Sequence, residues 1–149
     1  MLKQCIFLLV LGVLAEFSYA EREKSDCEKH RERESASNAP LPLRMVPECD
    51  ENGDYKPMQC FRDSNFCACW DKSGNPVTQP SGHVRSCKCL LEKHVAENGG
   101  LIGAFKPACE EDGKYKKTQC HGSTGYCWCA HQETGEKLTE QARGQPQCD

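Results

Sequence analysis

The hydrophobic pattern of this chain is uneven from the first residues onward. Cys5 to Leu14 is a run of ten apolar residues interrupted only by Gly12, and it is preceded by the positive charge of Lys3. Ser18 and Ala20 put small residues three and one positions before a predicted cut after Ala20. A run this short does not span a bilayer, and this arrangement reads as a secretory signal peptide over residues 1–20. No later stretch is apolar enough to cross a membrane, so a soluble, secreted mature protein is expected. Residues 21–26 form a polar tail, and the mixed-sign run from Glu21 to Glu34 leads into a polar helix that Asp26 is placed to cap. A second helix is predicted over Leu90 to Glu97, ending at Asn98-Gly99-Gly100. The turns Asn52-Gly53 and Asp112-Gly113 each lead into a short predicted strand through Tyr55 or Tyr115. A second strand in each half carries a Cys-x-Cys pair, and turns follow at Ser73-Gly74-Asn75 and Glu133-Thr134-Gly135.

Cysteine usage changes this picture most. Of thirteen cysteines, Cys5 leaves with the signal, and an even number in an exported chain indicates a disulfide framework. The spacings expose a repeat. Cys27, Cys49, Cys60, Cys67, Cys69 and Cys87 are separated by gaps of 21, 10, 6, 1 and 17 residues. Cys89, Cys109, Cys120, Cys127, Cys129 and Cys148 are separated by 19, 10, 6, 1 and 18. The stretches CDENGDYKPMQC and CEEDGKYKKTQC also align, sharing Gly53/Gly113, Tyr55/Tyr115 and Gln59/Gln119. The expected organisation is two abutting domains, 27–87 and 89–148, with only Lys88 between them. Units of this size bury only about 60% of their unfolded surface. Each disulfide closing such a loop contributes roughly 2–4 kcal/mol in the chain-entropy model, so cross-links must supply much of the stability. Alternation along a strand puts both cysteines of Cys-x-Cys on one face, which disfavours a direct bond between them. Spacing alone does not choose among the remaining connectivities.

These residues resemble the thyroglobulin type-1 domain family over almost the whole mature chain. The resemblance rests on the Gly-x-Tyr-x-x-x-Gln-Cys run, Cys127-Trp128-Cys129 and the six-cysteine gaps. It implies a small disulfide-rich α+β fold in two tandem copies, each a short helix plus a small antiparallel sheet with long loops. It also implies the pairs Cys27–Cys49, Cys60–Cys67, Cys69–Cys87, Cys89–Cys109, Cys120–Cys127 and Cys129–Cys148. The first copy departs from the pattern: Ala68 replaces the family's tryptophan, and Trp70 is expected to substitute for it from the same strand face. Arg62-Asp63-Ser64-Asn65-Phe66 stands there in place of the Gly-flanked loop Gly122-Ser123-Thr124-Gly125-Tyr126.

Enzyme classes are not favoured. Thiol catalysis needs a free thiolate beside a base, whereas the framework occupies the mature cysteines. His121 and His131 lie near cysteines, but structural zinc sites space their cysteines two to four apart, so no metal or cofactor is expected. The net charge of −3 and the lack of a basic stripe speak against nucleic acid. The resemblance instead implies binding by loops: the thyropins of this family inhibit papain-like, cathepsin-type cysteine proteases with a rigid three-loop wedge. Carried onto this chain, the wedge in the second copy comprises Gly99, Gly100, Leu101, Ile102 and Gly103, then Gly122, Ser123, Thr124 and Gly125, then the stretch around Arg143. In the first copy the corresponding first loop includes Pro40, Leu41, Pro42 and Leu43, beside a second loop charged by Arg62 and Asp63. The leading expectation is a secreted monomeric inhibitor of papain-like cysteine proteases acting mainly through its second copy. The alternatives are a non-inhibitory extracellular module for growth-factor or matrix binding, or a venom toxin with another target.

Overall fold

The computed structural model describes residues 22–40 and 44–149. The predicted signal peptide and Leu41, Pro42 and Leu43 lie outside the described residues. Each copy consists of one helix and one cross-linked hairpin. The first has helix α1 (Asp26–Ala36) and the antiparallel pair β1 (Met58–Cys60) and β2 (Cys67–Cys69). The second has helix α2 (Lys88–Asn98) and a three-stranded sheet of β3 (Thr118–His121), β4 (Tyr126–Cys129) and β5 (Ala142–Arg143), with β4 central. The strands begin later than the turn signals suggest. Tyr55 and Tyr115 make single bridges to Cys49 and Cys109, because Pro57 and the Lys117 backbone separate each bridge from the ladder that follows.

Helix α1 is polar throughout and gains little from burial, so its start is held by a cap. Ser25, not Asp26, is the N-cap. The Glu28 N–H donates to Ser25 Oγ at 3.2 Å, and the Ser25 N–H donates back to Glu28 Oε2 at 2.8 Å. That backbone donor holds the Glu28 carboxyl below the usual carboxylate range. The serine wins because its hydroxyl reaches the third helical N–H from an extended backbone, which lets Asp26 enter the first turn.

Six disulfides join Cys27–Cys49, Cys60–Cys67, Cys69–Cys87, Cys89–Cys109, Cys120–Cys127 and Cys129–Cys148. The first of each trio ties the helix to the loop before the hairpin, the second joins the two hairpin strands, and the third anchors the C-terminal segment. A buried glutamine completes the frame. Gln59, fully buried on β1, accepts from the Glu48 N–H at 2.8 Å and donates to the carbonyls of Glu48 and Lys56 at 2.8 and 3.0 Å. Gln119 on β3 repeats this with Ala108 and Lys116 at 2.8, 2.7 and 2.8 Å. The side-chain amide thus satisfies one N–H and one carbonyl in each copy and adds a second donor to the Glu48 or Ala108 carbonyl, which the Lys56 or Lys116 N–H also reaches.

The copies are fused rather than strung together. Leu90 and Leu91 of α2 pack against Cys67, Cys69, Val84 and Cys87 of the first copy. The N–H groups of Arg85 and Ser86 both donate to the Asp112 carbonyl, at 2.8 and 3.0 Å. That approach requires Gly113, since a Cβ there would lie 1.7 Å from the Ser86 carbonyl oxygen. Among the described residues no helix is long and apolar enough to cross a membrane.

Trp70 does not take the place of Trp128. Trp128 is buried and packs on Phe105 at 4.9 Å between centroids, with Lys137 Nζ 4.3 Å above its ring. Trp70 instead joins Tyr55 at 5.8 Å and the α1 residue His30 at 6.4 Å. Two residues along a strand is about 7 Å, enough to exchange one set of neighbours for another. The space equivalent to that of Trp128 is left to the small, buried Ala68.

Candidate functional site

The hairpin scaffold of the second copy brings its three candidate loops to one edge. The first loop starts where α2 ends. The Gly99 N–H donates to the Val95 carbonyl at 2.8 Å, and Asn98 Nδ2 donates to the His94 carbonyl at 2.8 Å, closing the helix. Gly100 and Gly103 then take φ of +68° and +79°, backbone that a β-carbon resists. Between them the Ala104 N–H donates to Leu101 O at 3.3 Å, so the loop is a tight turn with Leu101 and Ile102 at its tip. Leu101 is 75% exposed and Ile102 fully so.

The second loop is the β3–β4 turn. The N–H groups of Thr124 and Gly125 both donate to the His121 carbonyl, at 3.2 and 2.8 Å. Ser123 joins this turn to the first loop: its hydroxyl donates to the Gly103 carbonyl at 3.4 Å and lies 2.9 Å from His121 Nδ1. Beneath them Phe105 packs against His121 and Trp128, so the Cys-Trp-Cys strand props both loops from behind. The third loop arrives through β5, which pairs Arg143 with Tyr126 and Ala142 with Cys127. The Arg143 guanidinium sits 5.7 Å from the centroid of the Tyr126 ring.

The resulting edge carries two aliphatic tips, several small polar residues, one aromatic ring and one cation. It offers shape and apolar surface to a partner, with little charge to desolvate. Among the described residues no group of three or more His, Cys, Asp or Glu side chains could hold a metal ion. His131, the other histidine near a cysteine, accepts from the backbone N–H groups of Glu133 and Thr134, both at 3.3 Å.

Sequence reasoning omitted Tyr126, Phe105 and His121 from the site. Alternation already puts Tyr126 on the same strand face as Trp128. Its pairing with Arg143 depends on the register of β5, which no local pattern announces. The corresponding edge of the first copy differs in kind. Its hairpin turn holds Arg62 and Asp63, with Asp63 at φ +63°, and Phe66 is exposed beside it. Ser81 forms only a single bridge to Cys67 where β5 stands in the second copy. Pro40 is exposed in the loop closed by the Arg44 guanidinium, which donates to the Ser37 carbonyl at 2.6 Å.

Comparison with known proteins agrees with this geometry. The thyroglobulin type-1 repeat model matches residues 21–89 and again 90–148. U20-hexatoxin-Hi1a of Hadronyche infensa is 55% identical over 141 residues, covering 94% of this chain and 97% of that protein. U24-ctenitoxin-Pn1a of Phoneutria nigriventer is 42% identical over 117 residues, covering 78% and 89%. Equistatin of Actinia equina is 40% identical over 72 residues, which is 48% of this chain and 30% of that one. With two matched repeats, two hairpins bearing the Cys-x-Cys pair and three disulfides in each copy, the chain belongs to the thyroglobulin type-1 repeat family.

Proposed function

We propose that this protein is a secreted inhibitor of papain-like cysteine proteases, acting by occupying the active-site cleft rather than by catalysis. The observation that carries the reading is the edge of the second copy, where three loops meet behind two exposed aliphatic tips. Such an edge enters a narrow cleft without placing a charge at its point. Disulfides and the Phe105–Trp128 support hold it in shape before binding, so little conformational entropy is lost on docking. The monomer suffices, because the edge is complete within one chain.

A second reading has its own support. Two relatives covered over most of their length carry toxin names, so the second reading is a venom toxin with another target. Titration of the purified mature protein against papain and cathepsin L separates the two. Inhibition approaching one-to-one stoichiometry is expected, and its absence at micromolar concentration overturns the protease reading. Leu101→Glu provides the local test. Leu101 is solvent-exposed, so the charge costs the free protein little, yet it must be desolvated in a cleft. A roughly hundredfold loss of inhibition is expected.

A further inference from the structure

We propose that the first copy and the domain junction form a binding groove for a linear sulfated polysaccharide, separate from the loop edge of the second copy. Between β1 and α2 lies a groove of about 720 Å³ whose apolar lining includes Pro57, Met58 and Leu91. A second hollow of about 380 Å³ adjoins it and shares Glu48, Lys56 and Cys60 with it, so the two run together. Five cations stand along this path: Arg31 from α1, Arg62 from the β1–β2 turn, Lys56, and Arg85 and Lys88 at the junction. Two carboxylates, Glu48 and Glu92, accompany them. The surplus of positive charge stands on a chain whose net charge is −3, so overall composition does not account for it.

Most of these cations are not neutralised within the protein. Among the described residues the side chains of Arg31 and Arg62 make no ion pair or hydrogen bond. Arg85 donates to the Val84 carbonyl at 2.9 Å and Lys88 to the Thr134 carbonyl at 2.7 Å, both uncharged acceptors. Only Lys56 meets a carboxylate, that of Glu48 at 2.9 Å. Leaving several like charges along one hollow raises the local potential and attracts a polyanion.

The shape and chemistry favour one class of polyanion. Sugar rings present C–H faces that suit the apolar lining, while sulfates repeated along the chain meet the cations beside it. The arginine fork matches the oxygens of such a group. A bilayer fits less well, because interfacial binding places large exposed apolar side chains into the lipid, and here Met58 and Leu91 are partly buried. The groove exists only where a second copy follows the first. On the face of the second copy equivalent to this one, Thr118 replaces Met58 and Gln145 replaces Val84, so the apolar lining is not repeated there.

The test uses the full mature protein and a heparin octasaccharide, with affinity measured by calorimetry across a salt series. Binding should weaken as salt rises. The double variant Arg31→Ser/Arg62→Ser should lose about tenfold in affinity and flatten the log–log salt slope by about one for each arginine removed. Both arginines are exposed, and an unchanged thermal midpoint confirms that the variant is folded. Arg31→Lys/Arg62→Lys, which keeps the charge and removes the fork, should lose about threefold. The control Lys106→Ser/Lys117→Ser, with the same charge change elsewhere, should stay within about twofold of the parent. No octasaccharide binding overturns the proposal, as does a control that loses as much as the arginine variant. Equal or tighter binding of phosphatidylserine vesicles or of poly-glutamate, dependent on the same arginines, also overturns it, in favour of a membrane or an acidic protein.

Discussion

The two copies share a frame and differ in almost everything attached to it. Three disulfides and a buried glutamine recur at matching positions, and both cores are nearly empty of large aliphatic residues. Around that frame the aromatic residues have been redistributed. In the first copy His30, Tyr55 and Trp70 form one cluster that fastens α1 to the hairpin. In the second copy the positions of His30 and Trp70 are Glu92 and Ala130, and the aromatic weight lies on Trp128 and Phe105, beneath the loops. One copy spends its tryptophan on its helix and the other on its loop edge. Because cross-links and amide clamps hold the backbone, side-chain packing is free to serve different ends in each copy.

The largest expected difference between the copies is therefore in their tryptophans. Trp128→Ala should destabilise the second copy by about 3–5 kcal/mol and loosen the loop edge as well, since Phe105 loses its partner. Trp70→Ala, at a half-buried site, should cost about half as much and leave the loops of the second copy unaffected. Denaturant unfolding with the disulfides intact measures both; equal costs would contradict the division of labour described above. Where the frame is shared, the copies should respond alike. Gln59→Leu and Gln119→Leu each leave one backbone N–H and one carbonyl without a partner, the second carbonyl keeping its bond from the Lys56 or Lys116 N–H, and each should cost about 2 kcal/mol. A marked inequality between them would mean that the two frames are not equivalent.

The smallest and sharpest contrast concerns the tyrosines. The Tyr55 hydroxyl lies 3.0 Å from His30 Nδ1, so Tyr55→Phe should cost about 1 kcal/mol. The Tyr115 hydroxyl is buried without a hydrogen bond of ordinary geometry, so Tyr115→Phe should be neutral or stabilising. Burial first, and then the nearby Glu92 carboxylate, push the Tyr115 phenol far above its ordinary value of 10.0. A raised phenol pKa means that the folded protein keeps a proton the unfolded chain gives up, so this contribution to stability is intact below pH 10 and declines as pH rises beyond it. Thermal midpoints collected from neutral to strongly alkaline pH should fall more steeply for the parent than for Tyr115→Phe.

Much of the frame was legible in the residues themselves. The duplicated cysteine ladder marks two copies, and the Cys-x-Cys alternation forbids the adjacent pairing and places both sulfurs on one strand face. The end of α2 was equally readable, because Asn98-Gly99-Gly100 supplies the residues that terminate a helix. Errors arose where neighbours along the chain compete or where partners are distant. Ser25 and Asp26 both cap helices, and only the phase of the first turn decides between them. Trp70 and Ala68 look interchangeable along a strand, yet Trp70 takes its surroundings from α1, whereas Trp128, at the position of Ala68, takes them from Phe105 before the second cysteine.

What the sequence determined alone is the local and covalent content of this protein: a repeated ladder of cysteines, the turns that punctuate it and the uncharged character of the first two loops in the second copy. These follow from residue type and spacing, which act over a few positions. Tertiary structure alone decided which loops meet, that Ser123 ties the first loop to the second, and that β5 lays Arg143 over Tyr126. It also decided that α2 docks on the first copy and opens a groove there. The loop contacts join residues 17 positions apart at Tyr126 and Arg143 and 20 apart at Gly103 and Ser123, and their register is set by disulfides and packing rather than by any periodicity in the chain.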